Sequence, residues 1–429
     1  MIQEKKFNID LIVNLIGFAF AGVIGIFINI LIIQYYDASA LGIFNQTYAV
    51  YILLSQLAVG GVHLSVQKYI PQFGNIARHN RFILNSALVL SFFTSLIVVI
   101  ISLIAYQIPS LVLSSKALEL AFPITVWGLI FFSANKVLSA YYNGHRKMKH
   151  VALFQFLRAF FILMYFFILA KMKVEAEKLP SILALAELNL FLVMLIMSLP
   201  LLNFRFKIHF KRWLAIQHRF GKRAFLGNVL LDVNTRVDVI MLGIFMNDAA
   251  VGIYSFASTI AEGFQLLPAI LRNNINPIIT GTYFKQGAAA LNPILNQFRN
   301  KFYLIIASLG IISIPIFPFA LKILGNEDPE NLISFCYTIL VSGIILTAGY
   351  QPFLMLFNQL GKPKTQTLYV FFIFLANLIG NLVFIQYLQF QYPEYAILGA
   401  ALGTAFACFM QVIAMKILLK IQFKNKLNI

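Results

Sequence analysis

Lys136, Arg158, Arg236 and Arg272, together with Asp232, Asp238 and Glu262, interrupt long apolar runs in this sequence. A Lys, Arg or Asp at the centre of a membrane span costs roughly 2.5–3.5 kcal/mol on insertion scales, so such groups face a cavity or pair. Asp232 and Arg236 stand four apart, on one face of a helix, where they either satisfy each other or serve a ligand. Asp238 falls about 200° around from Arg236 and must look elsewhere. It is a candidate for ion coupling or interhelical pairing.

Ser255, Ser258, Glu262, Gln265 and Arg272 fall in one helical stripe about 100° wide, the pattern of a wall facing a water-filled cavity. The corresponding stripe earlier in the chain, Asn45, Tyr48, Ile52, Ser55 and Val62, is polar but uncharged. Cationic groups come there from Lys136 and Arg158 instead. Lys136 lies deep in its apolar run. Arg158 lies about a third of the way into its own, where snorkelling to the interface is an alternative to facing a cavity. Glu187 is expected near the outer end of its run, at the interface.

Other chemistries find no residues to carry them. The sequence has no phosphate-cradling glycine loop, nucleophile elbow or metal-binding helix motif. Its six histidines are scattered, and Cys336 and Cys408 sit in apolar runs as expected free thiols, with no metal-ligand spacing. No cofactor is expected. ATP-driven transport would need a separate subunit, so an ion gradient or the substrate's own gradient is left as the driving force.

The elements that position these residues are written in the composition. The 429 residues are 60% hydrophobic and only 11% charged, with 33 Lys and Arg against 15 Asp and Glu. A soluble protein carries about 25% charged residues. A mean hydropathy of +0.83 completes the case against a water-soluble enzyme.

A span needs roughly 20 apolar residues. Twelve such spans are expected, at 11–33, 43–65, 83–107, 119–142, 151–170, 181–203, 225–246, 250–272, 302–324, 332–357, 367–388 and 396–418. Ala19-Phe20-Ala21 imitates a signal-peptidase site, but the apolar run continues to Ile33, so the first span is expected to stay uncleaved. With the N-terminus inside, inside segments hold 23 basic residues and outside loops five. That bias places both termini in the cytoplasm. The +18 net charge is therefore a topology signal, not a nucleic-acid surface. Every outside loop is short, which leaves no room for the external catalytic loop of a membrane glycosyltransferase or polymerase.

A shift of 210 residues aligns Asp37-Ala38-Ser39-Ala40-Leu41-Gly42-Ile43-Phe44 with Asn247-Asp248-Ala249-Ala250-Val251-Gly252-Ile253-Tyr254. A shift of 215 matches Asn143-x-x-x-Lys147 to Asn358-x-x-x-Lys362. Both echoes fall at equivalent topological positions and point to duplication. The expected architecture is all-α: two pseudo-symmetric six-helix lobes, 1–203 and 225–429, around a central cavity. A basic amphipathic connector, 204–224, is expected on the cytoplasmic leaflet. Pro123, Pro268, Pro315, Pro318 and Pro352 are expected kinks, and Gly60-Gly61 a packing or flexing site.

Leu41-Gly42-Ile43-Phe44-Asn45-Gln46 through Ser65-Val66-Gln67-Lys68-Tyr69, and Asn234-Thr235-Arg236-Val237-Asp238-Val239-Ile240-Met241-Leu242-Gly243, resemble the Wzx-type polysaccharide biosynthesis flippases. The run Val251-Gly252-Ile253-Tyr254-Ser255-Phe256-Ala257 is the best of these matches. The larger superfamily includes MATE drug antiporters and the lipid II flippase. The resemblance implies translocation of an undecaprenyl-pyrophosphate-linked oligosaccharide across a bacterial inner membrane by alternating access. Membrane lipid and other polysaccharide-assembly proteins are then the implied partners, and nucleic acid is not.

On that reading Arg236, Arg272, Lys136 and Arg158 contact pyrophosphate or acidic sugars, with Gln265, Asn45 and Tyr48 as uncharged substrate contacts. Asp232, Asp238 and Glu262 couple a proton or sodium ion, or hold the arginines. The first span carries no charge beyond Asp10, unlike the charged first helix of lipid II flippases, which points away from a peptidoglycan role. The alternative is a MATE-like ion-coupled antiporter of small cationic compounds.

Overall fold

A backbone that crosses lipid must satisfy every N–H and C=O within itself, and apolar runs of this length do so as helices. The computed structural model of the chain describes residues 2–73, 77–202, 208–323 and 328–423, and among them there is no strand. Six helical segments are long and apolar enough to cross a membrane: His79–Ile104, Met148–Lys171, Ala176–Leu201, Leu291–Ile323, Pro363–Gln391 and Leu398–Phe423. Two bent pairs raise that number to eight. The chain is a multi-pass membrane protein. All twelve expected spans fall on helix, but the second, fourth, seventh and tenth are each divided.

The chain separates into two compact units, Met1–Ile28 with Ile43–Asp232, and Asn29–Gly42 with Val233–Ile429. The first unit is built from most of α1 (Ile2–Tyr35) and α2 (Ala38–Val59), then α3 (Val62–Phe73), α4 (Ala77–Ile104), α5 (Ile108–Val112), α6 (Leu118–Val126), α7 (Gly128–Gly144), α8 (Met148–Lys171), α9 (Ser181–Ser198) and α10 (Ile208–Asn234) as far as Asp232. α7 is its central helix, packed by α3, α4, α8 and α9, and none of its residues is exposed.

α2 and α3 meet at a 50° bend. Gly60 and Gly61 make it, with φ of +55° and +70°, a conformation glycine adopts without steric cost. The same pair lets α10 approach closely, because a Cβ on Gly61 would stand 2.8 Å from the Gly221 carbonyl oxygen. α6 and α7 bend by 42° at Trp127, one turn after Pro123. Pro315 and Pro318, by contrast, lie inside an unbroken helix.

α10 runs without a break from the expected connector into the expected seventh span. Its Phe210, Trp213 and Gln217 recur at helical spacing and are buried, while Lys211, Arg212, Arg219 and Lys222 are exposed. Trp213 packs edge-on against Tyr69 and Phe73 at 5.4 Å. Gln217 donates to the Ile83 carbonyl at 2.7 Å and accepts from Ser86 Oγ at 3.2 Å. The apolar face is thus docked on α3 and α4 of its own unit, leaving the basic face outward. Arg205, Lys207 and Arg223 of this stretch lie outside the residues whose side chains are described.

Truncating Trp213 to alanine is expected to cost about 3 kcal/mol, as large aromatic deletions in a packed core do. The check is a lowered unfolding midpoint with faster tryptic cleavage at Lys211 and Arg212; an unchanged cleavage rate would mean α10 is held elsewhere.

The second unit contains α11 (Val237–Phe245), α12 (Asp248–Gln286), α13 (Leu291–Ile323), α14 (Leu332–Thr347), α15 (Leu356–Gln359), α16 (Pro363–Gln391) and α17 (Leu398–Phe423), joined by the end of α1 and the start of α2. α16 and α17 form its most extensive helix pair. Cys336 and Cys408 are free thiols.

The two copies of the sequence repeat meet inside this unit. Asp37 Oδ1 accepts from the Ala40 N–H at 2.7 Å, and Asn247 Oδ1 accepts from the Ala250 N–H at 3.0 Å. Each side chain therefore caps its helix N-terminus in the same way. A Cβ on Gly42 would run into the Asp248 carbonyl, and a Cβ on Gly252 into the Ala38 carbonyl. Residues 38 and 248, and 42 and 252, are equivalent in the repeat. The contact is reciprocal, as a two-fold relation requires.

Candidate functional site

In the first unit the charged residues converge at mid-helix. Arg158, near the middle of α8, pairs with Glu187 of α9: Nε lies 2.8 Å from Oε1, and Nη2 donates to Oε2 at 3.1 Å. Asn135 of α7 fixes the carboxylate from the other side, its Nδ2 donating to Glu187 Oε2 at 2.8 Å and to the Glu187 carbonyl at 2.9 Å. Glu187 is therefore a buried partner of Arg158, with its side chain 7% exposed, and not an interfacial group. The sequence held a signal for this pair: an acid and a base in consecutive apolar runs, neither with a partner nearby in its own run.

Arg158 itself is 26% exposed. Four of the exposed apolar side chains of α8, Leu153, Phe156, Phe160 and Phe167, lie roughly 140° to 220° around the helix from it, and a fifth, Ile168, about 80°. Its open side is thus turned from most of that apolar surface. Snorkelling does not describe a guanidinium held by a buried carboxylate and lying 5.3 Å from the Phe132 ring centroid. Lys136 of α7 stands over the same ring at 5.6 Å. Two cations thus share one aromatic ring. Asp232 acts electrostatically on Lys136, and Tyr48 and Tyr51 of α2 on Arg158. Tyr51 Oη is buried and takes no hydrogen bond among the described residues. Asn45, in the same helix, is buried.

In the second unit the arrangement departs from the sequence expectation. Asp232 and Arg236 do not share a helical face, because the helix breaks between them: α10 ends at Asn234 and α11 begins at Val237. Arg236 sits in the turn, with φ −133° and ψ 6°. The break frees the Asn234 carbonyl, and Asn377 Nδ2 of α16 donates to it at 3.2 Å. Asn381 Nδ2 in turn donates to Asn377 Oδ1 at 2.8 Å. An orphaned helix-end carbonyl is satisfied by a side chain distant in sequence.

Arg236 Nη2 then lies 3.7 Å from Glu262 Oε2 of α12, a loose contact whose carboxylate side chain is 39% exposed. Asp238 is buried, caps the Val239 N–H at 2.9 Å and accepts from the Tyr254 hydroxyl. Tyr254 is the last residue of the second repeat copy.

The polar stripe of α12 is graded along its length. Ser255 and Ser258 are buried, and Ser258 Oγ donates to the Ser255 carbonyl at 3.2 Å. Glu262 is half-buried and Gln265 exposed. Arg272 stands ten residues past Glu262, roughly 15 Å along the helix, and so outside the Arg236 cluster. Its Nε is buried and takes no hydrogen bond among the described residues, with Tyr369 in electrostatic range.

Held in place this way, the first unit presents two cations and two carboxylates, Glu187 and Asp232, and the second an arginine with two acids and a separate arginine with no ion pair among the described residues. Such groups can bind anions, exchange counter-ions and carry a proton. No group of three or more metal-ligating side chains occurs among the described residues.

Solved structures similar to the chain are transporters. The lipid II flippase MurJ in an inward closed conformation matches with a TM-score of 0.73 at 19% identity, over 95% of this chain and 87% of that one. An inward-facing multidrug resistance MATE family transporter of the MOP superfamily matches at 0.69 with 14% identity, over 94% and 96%. A MOP superfamily transporter from Pyrococcus furiosus, described as having reversed binding-pocket polarity, matches at 0.57 with 12% identity, over 97% and 95%. At these identities the likeness is one of fold. No curated protein matches the chain by sequence. A family match covers residues 10–284, which takes in α11, most of α12 and both copies of the repeat motif, and by it the chain belongs to the polysaccharide biosynthesis protein family.

Proposed function

We propose that this chain is a flippase that moves an undecaprenyl-diphosphate-linked oligosaccharide from the cytoplasmic to the outer leaflet of a bacterial inner membrane, by alternating access, with both termini cytoplasmic. The observation that carries the reading is the pair of cations, Lys136 and Arg158, gathered on one aromatic ring at the middle of membrane-spanning helices. Burying cations there is costly unless an anion is to be met. A headgroup crossing the bilayer needs a polar path while its polyprenyl tail stays in lipid. Arginine suits a phosphate by geometry as well as charge. The family match and the lipid II flippase likeness support a lipid-linked substrate.

The experiment is deletion of the gene in its native host, with labelled sugars followed on both membrane faces. Repeat units are expected to accumulate on the cytoplasmic face, with surface polysaccharide lost and restored by complementation. Glu187, Asp238 and Glu262 favour the second reading, an ion-coupled antiporter of small cations, since carboxylates are what such ligands require. Normal surface polysaccharide together with new sensitivity to cationic drugs would establish that reading in place of the first.

A further inference from the structure

Glu187 occupies an anion's position. Its Oε2 accepts from Arg158 Nη2 and from Asn135 Nδ2, and its Oε1 stands 2.8 Å from Arg158 Nε, the contacts a phosphate oxygen pair would seek. We propose that Glu187 is an exchangeable counter-ion: the substrate's diphosphate displaces its carboxylate from Arg158, and the displaced group takes up one proton from the aqueous phase, returning it when the substrate leaves. The inference rests on the flippase reading above and assigns Glu187 as the coupling residue within it.

Three observations support exchange over a fixed strut. The first is the asymmetry of burial: the carboxylate is 7% exposed while the arginine it holds is 26% exposed. An incoming anion therefore reaches Arg158 on its open side.

The second is charge. Lys136, Arg158 and ionised Glu187 sum to a single positive charge, which Asp232 beside Lys136 lowers further when ionised, whereas a diphosphate esterified at both ends carries two negatives. Neutralising Glu187 leaves two cations on the Phe132 ring to meet them. Keeping Glu187 ionised would place three negative charges beside two positive ones in a low-dielectric interior, where such an excess is expensive.

The third is the pair of unmet hydrogen-bonding atoms. Asn135 Oδ1 and Tyr51 Oη are buried without a hydrogen-bond partner among the described residues. Asn135 donates to the carboxylate now, and its empty acceptor suits the O–H that a protonated Glu187 would bear. Tyr51, 3% exposed, keeps a free donor for the arriving phosphate. Leaving such atoms buried and unpaired costs free energy.

Groups facing Glu187 come from each helix packed on α9. α7 brings Asn135 and Lys136, α8 brings Arg158, and Tyr48 and Tyr51 of α2 act on Arg158. α6 carries Glu119 alone, which accepts from Ser110 Oγ at 3.3 Å. Beyond this group, Asp232 acts on Lys136, and Lys136 on His63.

The probe is a farnesyl-diphosphate-linked glucose diester, whose phosphates do not titrate between pH 5.5 and 8. Calorimetry on the full-length protein, in buffers of differing ionisation enthalpy, reads both affinity and proton uptake. The wild type is expected to take up close to one proton per diester bound, and to bind at least tenfold more weakly at pH 8 than at pH 5.5. Glu187→Gln keeps the volume and the Asn135 hydrogen bond. It is expected to bind at every pH at least as tightly as the wild type does at pH 5.5, without uptake. Should Glu187→Gln fold poorly, uptake persisting in Asp232→Asn and in His63→Gln places the proton on Glu187 by elimination, and its loss in either overturns the inference.

Uptake persisting in Glu187→Gln, which would place the proton on His63 or Asp232, overturns the inference, as does tight wild-type binding with no uptake; in both cases the flippase reading stands. Absence of diester binding at every pH overturns the flippase reading itself.

Discussion

Gly42→Ala and Gly252→Ala will each lower the stability of the protein, and the double variant will cost no more than either single one. At both positions the added methyl group meets the backbone carbonyl of the opposite helix, Asp248 or Ala38. A backbone cannot rotate away as a side chain can, so the two helix starts must separate. Overpacking of this kind costs about 1–3 kcal/mol.

The reciprocity sets the form of the result. One separation relieves both clashes, so after the first substitution the second finds its space already open. Independent sites would add. Here the coupling energy should nearly equal the cost of a single change, with opposite sign. Gly281→Ala in the same α12 is the control. Its Cβ would meet nothing within 4 Å, and alanine is the better helix former by roughly 0.5–1 kcal/mol. Unfolding midpoints of the four variants decide the matter, and additive losses at Gly42 and Gly252 would mean the two helix starts do not cross at these residues. Small residues at crossings are how membrane helices approach closely, because lipid offers no hydrophobic force to press them together.

The same pair shows what a sequence carries and what it does not. The repeat is legible because the capping residue, the small residues and the glycine recur at one fixed shift. That the copies touch each other is not, since nothing local distinguishes a glycine packed on a partner helix from one facing open space, as Gly281 does. Apolar length likewise gives the spans. It misses the division of the seventh, because no glycine or proline marks Thr235-Arg236; the freed carbonyl is satisfied by Asn377, 143 residues away.

Lys136 and Arg158 are visible as intramembrane charges by their type alone. Hydropathy puts Glu187 at the interface because it registers how many charges a window holds and not which neighbour answers them. Asp238 could be turned away from Arg236 by helical geometry, but its partner Tyr254 depends on how α11 packs against α12.

Arg236→Ala and Arg272→Ala are each expected to cut export at least tenfold without lowering protein levels, and the two will differ in stability. A hydrogen bond to a charged group contributes about 1.5–3 kcal/mol, which corresponds to roughly ten- to a hundredfold in affinity for the anion. Arg236 faces Glu262 at 3.7 Å across a half-exposed contact. Its removal strands a carboxylate that water still reaches in part, so a small loss of stability accompanies the loss of export.

Arg272 makes none of the ion pairs among the described residues, and its Nε is buried without a hydrogen bond. A cation kept there burdens the fold. Removing it is expected to leave the unfolding midpoint unchanged or to raise it, while export still fails. A residue that weakens the structure and is needed for activity is retained for what it binds. Arg272→Lys separates charge from geometry: it keeps the cation and loses the planar fork that grips two phosphate oxygens, so partial export is expected. Full export in both alanine variants would remove these two arginines from the substrate's path. A fall in stability for Arg272→Ala comparable to that of a core deletion would make it a structural group with an anionic partner of its own.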